Sequence, residues 1–326
     1  GSSDYTANED DEIISASTLV SALASSNITV RTDGGGSQDG DIRVSSAISS
    51  SSSNDLTLDA DNDIIINASV SRTGSGGLVL TTGSGSVSGS GTISLGGGSS
   101  ISSSSGATVE NNISLANGDA TFNQSGTATY SGVISGSGNF IKAGLGTITV
   151  SGANTYTGDT TLNAGTLTVS GTLSDSTDVI VNSGTTYDVN TNDTIQSLTG
   201  AGTIDIASAR TLTAGGDNGN ESITGNFTGA GNFTKQGSGT YTLLGGSNST
   251  SGLFTSSEGE LVFKGTFSGS PHLRNNSTFT LDNDITFASV EGSGAFSIPD
   301  TLTLTTGDNG NNAITGTLSG NGTLVK

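Results

Sequence analysis

The chain has 326 residues, a formal net charge of −20, one histidine and no cysteine, and only 30% of its residues are hydrophobic. One histidine without cysteine excludes a zinc site of the ordinary type. The surplus of carboxylates repels phosphate backbones and anionic lipids, so we expect no nucleic-acid partner. No apolar run approaches the ~18 residues of a membrane span, so we expect no membrane insertion of this segment.

The first part of the chain holds an acidic run and a segment of undecided structure. Glu9–Glu12 is the one concentrated run of carboxylates, and it is typical of a solvated face. In Glu12–Ala24 the apolar residues fit one face of a short helix, but they also fit a strand. These residues are Ile13, Leu19, Val20 and Leu23. Both structures remain open for this segment.

Short apolar runs, rich in β-branched residues, recur between Gly, Asn, Asp and Ser along the rest of the chain. Examples are Ile64–Ile66, Leu78–Leu80 and Ile148–Val150. Runs of this length and composition predict strands. Since no other stretch shows a helical period over a helical length, the sequence predicts an all-β protein.

Three aspartates precede the first of these runs and resemble the start of a calcium loop. They are Asp59, Asp61 and Asp63. An EF-hand loop needs Gly at its sixth position and Glu at its twelfth, where Ile64 and Val70 stand. We therefore expect a polar corner that leads into a strand.

One block of sequence is written three times. The copies Tyr130–Lys142, Ile223–Lys235 and Ile314–Lys326 align without a gap and share three glycines and a closing lysine. They lie 93 and 91 residues apart, which indicates an array. Gly1–Ser3 looks like a cloning remnant and the third copy stops in mid-repeat, so we expect a piece of a longer protein.

A shorter period lies inside this repeat. GTITV at 146–150 returns as GTLTV at 165–169, 19 residues later. A unit of about 20 residues cannot bury its own apolar face, but stacked units can. Within 161–169 the predicted inward residues alternate with polar ones: Leu162, Ala164, Leu167 and Val169. The pattern predicts a right-handed parallel β-helix, a single-stranded solenoid of roughly 20-residue coils with Gly and Asn at its corners.

Candidates for catalysis or ion binding are few. A Ser-His-Asp triad would depend wholly on His272, for which we predict a surface turn next to Pro271. The sequence GDNGN occurs at Gly216–Asn220 and Gly307–Asn311, where corners are expected and ion binding is the alternative. The five arginines lie far apart in sequence, which argues against the groove of a polysaccharide lyase or hydrolase: Arg31, Arg43, Arg72, Arg210 and Arg274. We therefore predict no catalytic, cofactor-binding or metal-binding residues.

Two family resemblances cover most of the chain. Ser135–Gly171 (SGSGNFIKAGLGTITVSGANTYTGDTTLNAGTLTVSG) resembles the autotransporter-associated β-strand repeat, and Thr228–Gly265 is a second copy in which Ser247–Gly252 replaces the Asn-Thr-Tyr-Thr-Gly segment. Ile13–Ser71, with GDIRV and LTLDADNDIII, resembles the repeats of filamentous-haemagglutinin-type exoproteins. The resemblances imply haemagglutinin-like coils over 1–120 and autotransporter-type repeats over 121–326, continuous as one solenoid.

The resemblances also imply a function. Such proteins are large secreted or cell-surface passengers of Gram-negative bacteria, exported by a separate or fused outer-membrane β-barrel transporter, and their repeats usually form the shaft of an adhesin. The expected role is a non-enzymatic stalk that supports cell–cell or cell–surface attachment, with an unknown protein or glycan receptor. The alternative is a β-helix that binds glycan or processes polysaccharide.

Overall fold

The computed structural model describes residues 2–7, 13–32, 40–83, 85–307 and 313–326. The chain forms two compact units, Gly1–Ser174 (unit 1) and Asp175–Lys326 (unit 2). The division predicted at residue 120 rests on the type of repeat, which packing does not test, and it stays a prediction. Glu9–Glu12 lies outside the described residues, as do residues 308–311 of the second GDNGN segment.

Unit 1 consists of short strands and one helix. In chain order they are β1 (Ser2–Ala7), α1 (Ala16–Leu23), β2 (Asn27–Thr32), β3 (Ile42–Val44), β4 (Ile48–Ser50), β5 (Leu56–Ala60), β6 (Ile64–Ile66), β7 (Val70–Arg72), β8 (Leu78–Thr82), β9 (Val87–Ser88), β10 (Ile93–Leu95), β11 (Ser100–Ser103), β12 (Ala107–Val109), β13 (Ile113–Leu115), β14 (Asp119–Asn123), β15 (Thr127–Tyr130), β16 (Ile134–Gly136), β17 (Asn139–Ala143), β18 (Thr147–Val150), β19 (Thr160–Leu162) and β20 (Thr166–Val169).

These strands form three parallel sheets in unit 1. The first has the order β1-β2-β5-β8-β11-β14-β17-β19, the second β3-β6-β9-β12-β15-β18-β20 and the third β4-β7-β10-β13-β16. From β2 to β16 each coil contributes one strand to each sheet in turn, and strands pair with their counterparts in the next coil. Ala128, Ile148 and Leu167 are stacked in this way. This is the predicted parallel β-solenoid.

Helix α1 settles the segment that the sequence left open. The Ser15 hydroxyl accepts a hydrogen bond from the Thr18 backbone N–H at 3.1 Å, which is the usual bond of an N-cap residue. Leu19 and Leu23 are buried, and α1 packs against β2 and β4. In the described part of the chain, no helix has the length and apolar character needed to cross a membrane.

Unit 2 is built from strands of the same kind. They are β21 (Asp178–Val181), β22 (Thr186–Val189), β23 (Asp193–Thr194), β24 (Ser197–Gly200), β25 (Thr203–Ile206), β26 (Thr211–Ala214), β27 (Glu221–Ile223), β28 (Asn226–Gly229), β29 (Asn232–Lys235), β30 (Thr240–Leu243), β31 (Leu253–Ser256), β32 (Glu260–Phe263), β33 (His272–Asn275), β34 (Thr278–Leu281), β35 (Ile285–Phe287), β36 (Ser289–Glu291), β37 (Ala295–Ser297), β38 (Thr303–Thr306), β39 (Leu318–Ser319) and β40 (Thr323–Val325).

The strands of unit 2 also pair in parallel. One sheet has the order β21-β24-β27-β30-β32-β34-β37-β39, a second β22-β25-β28, a third β23-β26-β29-β31-β33-β36, and a fourth β35-β38-β40. The second sheet ends at β28 and the fourth begins at β35. Between these strands, an isolated parallel bridge pairs Asn248 with Phe267.

The core of each unit is the stack of inward side chains that period-two alternation predicts. Ile148, Leu162, Leu167 and Val169 are all buried, as predicted. The prediction for Ala164 is wrong: this residue is half-buried because it lies in the corner after β19, not on a strand. Burial of each large apolar side chain contributes about 1.5–3 kcal/mol, and stacking repeats that contribution coil after coil.

Candidate functional site: buried cations and asparagines at the solenoid corners

The closing lysine points into the core in the first two copies of the repeated block, at Lys142 and Lys235, whereas Lys326 of the third copy is exposed. In β17, Phe140 and Lys142 are the inward residues, and Lys142 stacks between Phe122 and Leu162 of the neighbouring coils. Its side chain is buried, and its Nζ donates hydrogen bonds to the carbonyl oxygens of Ala143 (2.9 Å), Gly144 (2.8 Å) and Ala164 (2.9 Å). Three carbonyls match the three donors of an ammonium group.

The corner after β17 is shaped to present these carbonyls. Gly144 has φ +74°, and a Cβ at this position would collide with the carbonyl oxygen of Gln124 in the preceding coil, so glycine is required there. Two of the three acceptors belong to the corner itself, and the third, Ala164, comes from the next coil. The lysine therefore ties two successive coils together.

The second copy of the block builds the same arrangement. Lys235 ends β29, is buried, and donates to the carbonyl oxygens of Gly237 and, at 2.9 Å, of Glu258 in the next coil. Gly237 again has φ +74°, and the Lys235 ammonium lies 5.9 Å from the centre of the Tyr241 ring. Two copies with the same donors and the same corner geometry make this a property of the repeat.

Burial lowers the pKa of both lysines. It lowers the pKa of Lys142 to about 8, and it lowers the pKa of Lys235 against the opposing effect of Glu258, Asp217 and Glu260. The carbonyl hydrogen bonds offset part of the cost of removing each ammonium from water.

A third buried cation closes a corner in unit 1. Arg72 ends β7, is buried, and donates from Nη2 to the carbonyl oxygen of Asn54. Burial lowers its pKa, opposed by the charge of Asp55. Among the described residues, Nε and Nη1 of Arg72 have no hydrogen-bond partner. We call Arg72, Lys142 and Lys235 the corner cations; none of them has solvent-exposed surface, so their contacts are with the solenoid itself.

A buried asparagine in each of the two β-strand repeats, Asn154 in the first and Asn248 in the second, bonds to backbone groups of neighbouring coils. The Asn154 Oδ1 accepts from the Ile134 N–H at 2.9 Å, and its Nδ2 donates to the Thr172 carbonyl at 2.8 Å and to the Gly152 carbonyl at 3.2 Å. Its acceptor and donor sides reach different coils, so one side chain spans three levels of the stack. This satisfies backbone groups that strand pairing leaves free at a corner.

Asn248 makes the corresponding bonds in the second copy. It accepts from the Phe227 N–H at 2.8 Å and donates to the carbonyls of Gly245 (2.8 Å) and Thr266 (3.1 Å). Asn248 is therefore the structural equivalent of Asn154. This equivalence sets the register of the segment Ser247–Gly252, and the second copy has one more residue than the first between its lysine and its asparagine.

The structure places the remaining candidates apart from one another. The predicted polar corner before β6 is confirmed for Asp61 and Asp63. The prediction is wrong for Asp59, which lies on strand β5 with Arg31 Nη2 4.0 Å from its carboxylate. The corner contains Asp63 Oδ1 accepting from the Ser86 N–H at 2.7 Å. Residues 216–220 form a corner between β26 and β27, also as predicted. In the described part of the chain, no group of three or more His, Asp or Glu side chains is arranged to hold a metal ion.

The prediction for His272 is wrong. It begins strand β33 and is half-buried rather than lying in a surface turn, because the backbone after Pro271 pairs with Leu253 of β31 and Ser289 of β36. The ring Nδ1 lies 2.6 Å from the Ser289 hydroxyl. This position on the outer face of a sheet serves strand pairing.

Comparison with known families finds the same two segments. Residues 140–169 and 233–263 match the family model of the passenger-associated transport repeat. Each match starts at the phenylalanine that precedes a corner lysine and contains that lysine, its glycine and the buried asparagine. No curated protein and no solved structure matches the chain. The resemblance of residues 13–71 to haemagglutinin-type exoproteins stays a prediction.

The two transport repeats fit the stalk of an autotransporter passenger. They imply export through an outer-membrane β-barrel and suggest a secreted or surface location. The burial of the lysine is not predicted by its recurrence at the end of the repeated blocks. The available signal was its period-two spacing from Phe140 and Phe233, which places it on the inward side of its strand.

Proposed function

We propose that this chain is a non-enzymatic stalk segment of a secreted or surface-exposed passenger and supports attachment of a bacterium to other cells or surfaces. The observation that carries the proposal is the recurrence of one structural unit: a buried lysine, a left-handed glycine and a buried asparagine in both transport repeats. The lysine and asparagine side chains are buried and donate hydrogen bonds to carbonyls of neighbouring coils. A receptor, whether protein or glycan, would be bound elsewhere on the passenger or on an outward surface.

The test is surface display of the full chain between an outer-membrane β-barrel anchor and a biotin-acceptor tag at the far end. Cells carrying it would be captured on streptavidin under flow. The matched controls are a Gly/Ser-rich linker of the same length and the chain with Ile148→Asp, which places a carboxylate among buried apolar residues. The proposal expects greater capture by the parent chain at equal tag display. Equal capture by parent, linker and variant would contradict the stalk role.

A second candidate function is glycan binding by the segment itself. Its support is one open groove on unit 2, lined by an aromatic ring, a carboxylate and hydroxyl groups. Among the described residues this lining contributes one carboxylate, whereas most glycoside hydrolases use a pair, so binding is favoured over processing.

A further inference from the structure

A groove of about 400 Å³ opens on the side of unit 2 where regular strands resume. On one side lies the irregular segment 264–271, and on the other lie β35 and β38, paired through Ile285 with Leu304 and Thr286 with Thr305. Its lining is Phe267, Asp284, Ile285, Thr286, Thr303 and Thr305.

The groove lies after the second transport repeat, where the chain departs from the pattern that follows the first. Thr172 and Thr266 are equivalent, because each accepts a hydrogen bond from the buried asparagine of its repeat. Phe267 therefore corresponds to Leu173, which is only 3% exposed. Phe267 is instead larger and half-buried.

The Phe267 ring packs against two buried aromatic rings of the core. Its centroid lies 5.0 Å from that of Phe263 and 5.9 Å from that of Phe254, both of which are buried. A ring fixed by two core aromatics keeps its orientation, and its uncovered part can offer an apolar surface to a ligand at little cost in side-chain entropy.

The polar side of the groove is also fixed. Asp284 Oδ1 accepts a hydrogen bond from the Thr303 N–H at 2.7 Å, which holds the exposed carboxylate in place. Oδ2 has no hydrogen-bond partner among the described residues. The hydroxyls of Thr286, Thr303 and Thr305 complete the lining.

An apolar ring beside a fixed carboxylate and several hydroxyls matches the surface of a sugar. A pyranose has an apolar C–H face and a rim of hydroxyl groups, and hydrogen bonds from hydroxyls to a carboxylate are of the strong, charge-assisted kind. The carboxylate in the groove and the net charge of −20 both disfavour an anionic ligand.

We propose that this groove binds a neutral oligosaccharide. One sugar ring stacks on Phe267 and presents neighbouring hydroxyls to Asp284 Oδ2. The inference rests on the second candidate function above and specifies its site and ligand class; it does not depend on the stalk role, which is tested by capture under flow.

The test uses the purified full chain on an array of neutral oligosaccharides that includes cello-, chito- and malto-tetraose, followed by titration of the sugars that bind. Tetragalacturonate and tetralysine serve as anionic and cationic probes. The variants are Phe267→Leu, which restores the residue type of the first repeat, and Asp284→Asn. Asp282→Asn is the matched control, because this neighbouring carboxylate pairs with Lys264 at 2.7 Å and does not line the groove.

We expect saturable binding of at least one neutral tetrasaccharide by the parent and by Asp282→Asn. Each groove variant should weaken it at least about tenfold, as loss of a hydrogen bond to a charged group or of a stacked ring does. Thermal unfolding midpoints of the variants verify that they are folded. No saturable binding of any neutral sugar, undiminished binding by both groove variants, or binding of tetragalacturonate or tetralysine alone would overturn the proposal while leaving the stalk role standing.

Discussion

Tyr156 and Phe254 place an aromatic ring at the same distance from equivalent partners, although they occupy different positions of the repeat. The centroid of the Tyr156 ring lies 6.0 Å from that of Phe140, and the centroid of Phe254 lies 6.1 Å from that of Phe233. Aligned on the buried asparagines, Tyr156 corresponds to Thr250, and Phe254 corresponds to Thr160. All four side chains are buried.

This exchange predicts a compensating pair of substitutions in the first repeat. Tyr156→Thr alone should lower the free energy of unfolding by about 3 kcal/mol, because it empties buried volume and removes the 2.5 Å contact between the Tyr156 and Thr160 hydroxyls. Adding Thr160→Phe should restore more than half of that loss. Urea unfolding of the two single variants and the double variant gives the coupling energy. Losses that simply add in the double variant would contradict the equivalence.

The buried asparagines should contribute more to the free energy of unfolding than exposed asparagines do. Asn154→Ala leaves the Ile134 N–H and the Thr172 carbonyl without their side-chain partner, so we expect a loss of about 1–3 kcal/mol in the free energy of unfolding. The control is Asn190→Ala, because Asn190 is exposed and its Nδ2 donates to the Asp188 carboxylate at 3.0 Å. Chemical denaturation of both variants tests this, and equal midpoints would argue against the bridging role.

The inward register of β18 predicts opposite outcomes for neighbouring residues. Ile148→Asp puts a carboxylate between Ala128 and Leu167 and should cost several kcal/mol, as an unpaired buried charge does. Thr149→Asp on the outward face of the same strand should change stability by about 0.5 kcal/mol or less. Circular dichroism during thermal unfolding measures both. Similar midpoints for the two variants would refute this register.

Lys142 should make stability depend on alkaline pH. Because burial lowers its pKa to about 8 from 10.5, the folded chain binds fewer protons than the unfolded chain between these values. The free energy of unfolding should then rise with pH across this window. Below the window Lys142 is protonated in both states, so its ionisation contributes no pH dependence there. Lys235, whose pKa is lowered as well, acts in the same direction.

Lys142→Met should reduce that rise, whereas the exposed Lys264→Met should not. Lys142→Met also leaves the carbonyls of Ala143, Gly144 and Ala164 without this donor, so we expect it to be less stable than the parent at pH 7 by about 1–3 kcal/mol. Unfolding curves from pH 7 to 10 separate the two effects. An unchanged pH slope in Lys142→Met would show that Lys142 does not titrate in this range.

Much of the fold could be predicted from the sequence, because apolar alternation and repeated glycines report directly on strands and corners. The burial of Ile148 and Leu167 follows from period two alone. The register of Ser247–Gly252 could not be predicted, since it depends on one inserted residue that only the bonds of Asn248 reveal.

The corner cations and the groove were beyond the sequence for a different reason. Lysine and arginine are rarely buried, and what makes Lys142 tolerable in the core is a carbonyl of the next coil, at Ala164. The groove brings Phe267 beside Asp284 and Thr305, which belong to successive coils. The period-two spacing indicates that Lys142 lies inward, but neither its acceptor in the next coil nor the lining of the groove forms a pattern along the chain.

The exchange of Tyr156 for Phe254 also bears on descent. Duplicated coils are under selection to keep a filled interior, and either of two positions can supply the ring that fills it. The aromatic residue can then differ in sequence position between copies while its ring centroid stays 6.0 or 6.1 Å from the equivalent phenylalanine. The lysine, glycine and asparagine of the corners recur in both transport repeats, so they identify equivalent coils where the aromatic positions do not.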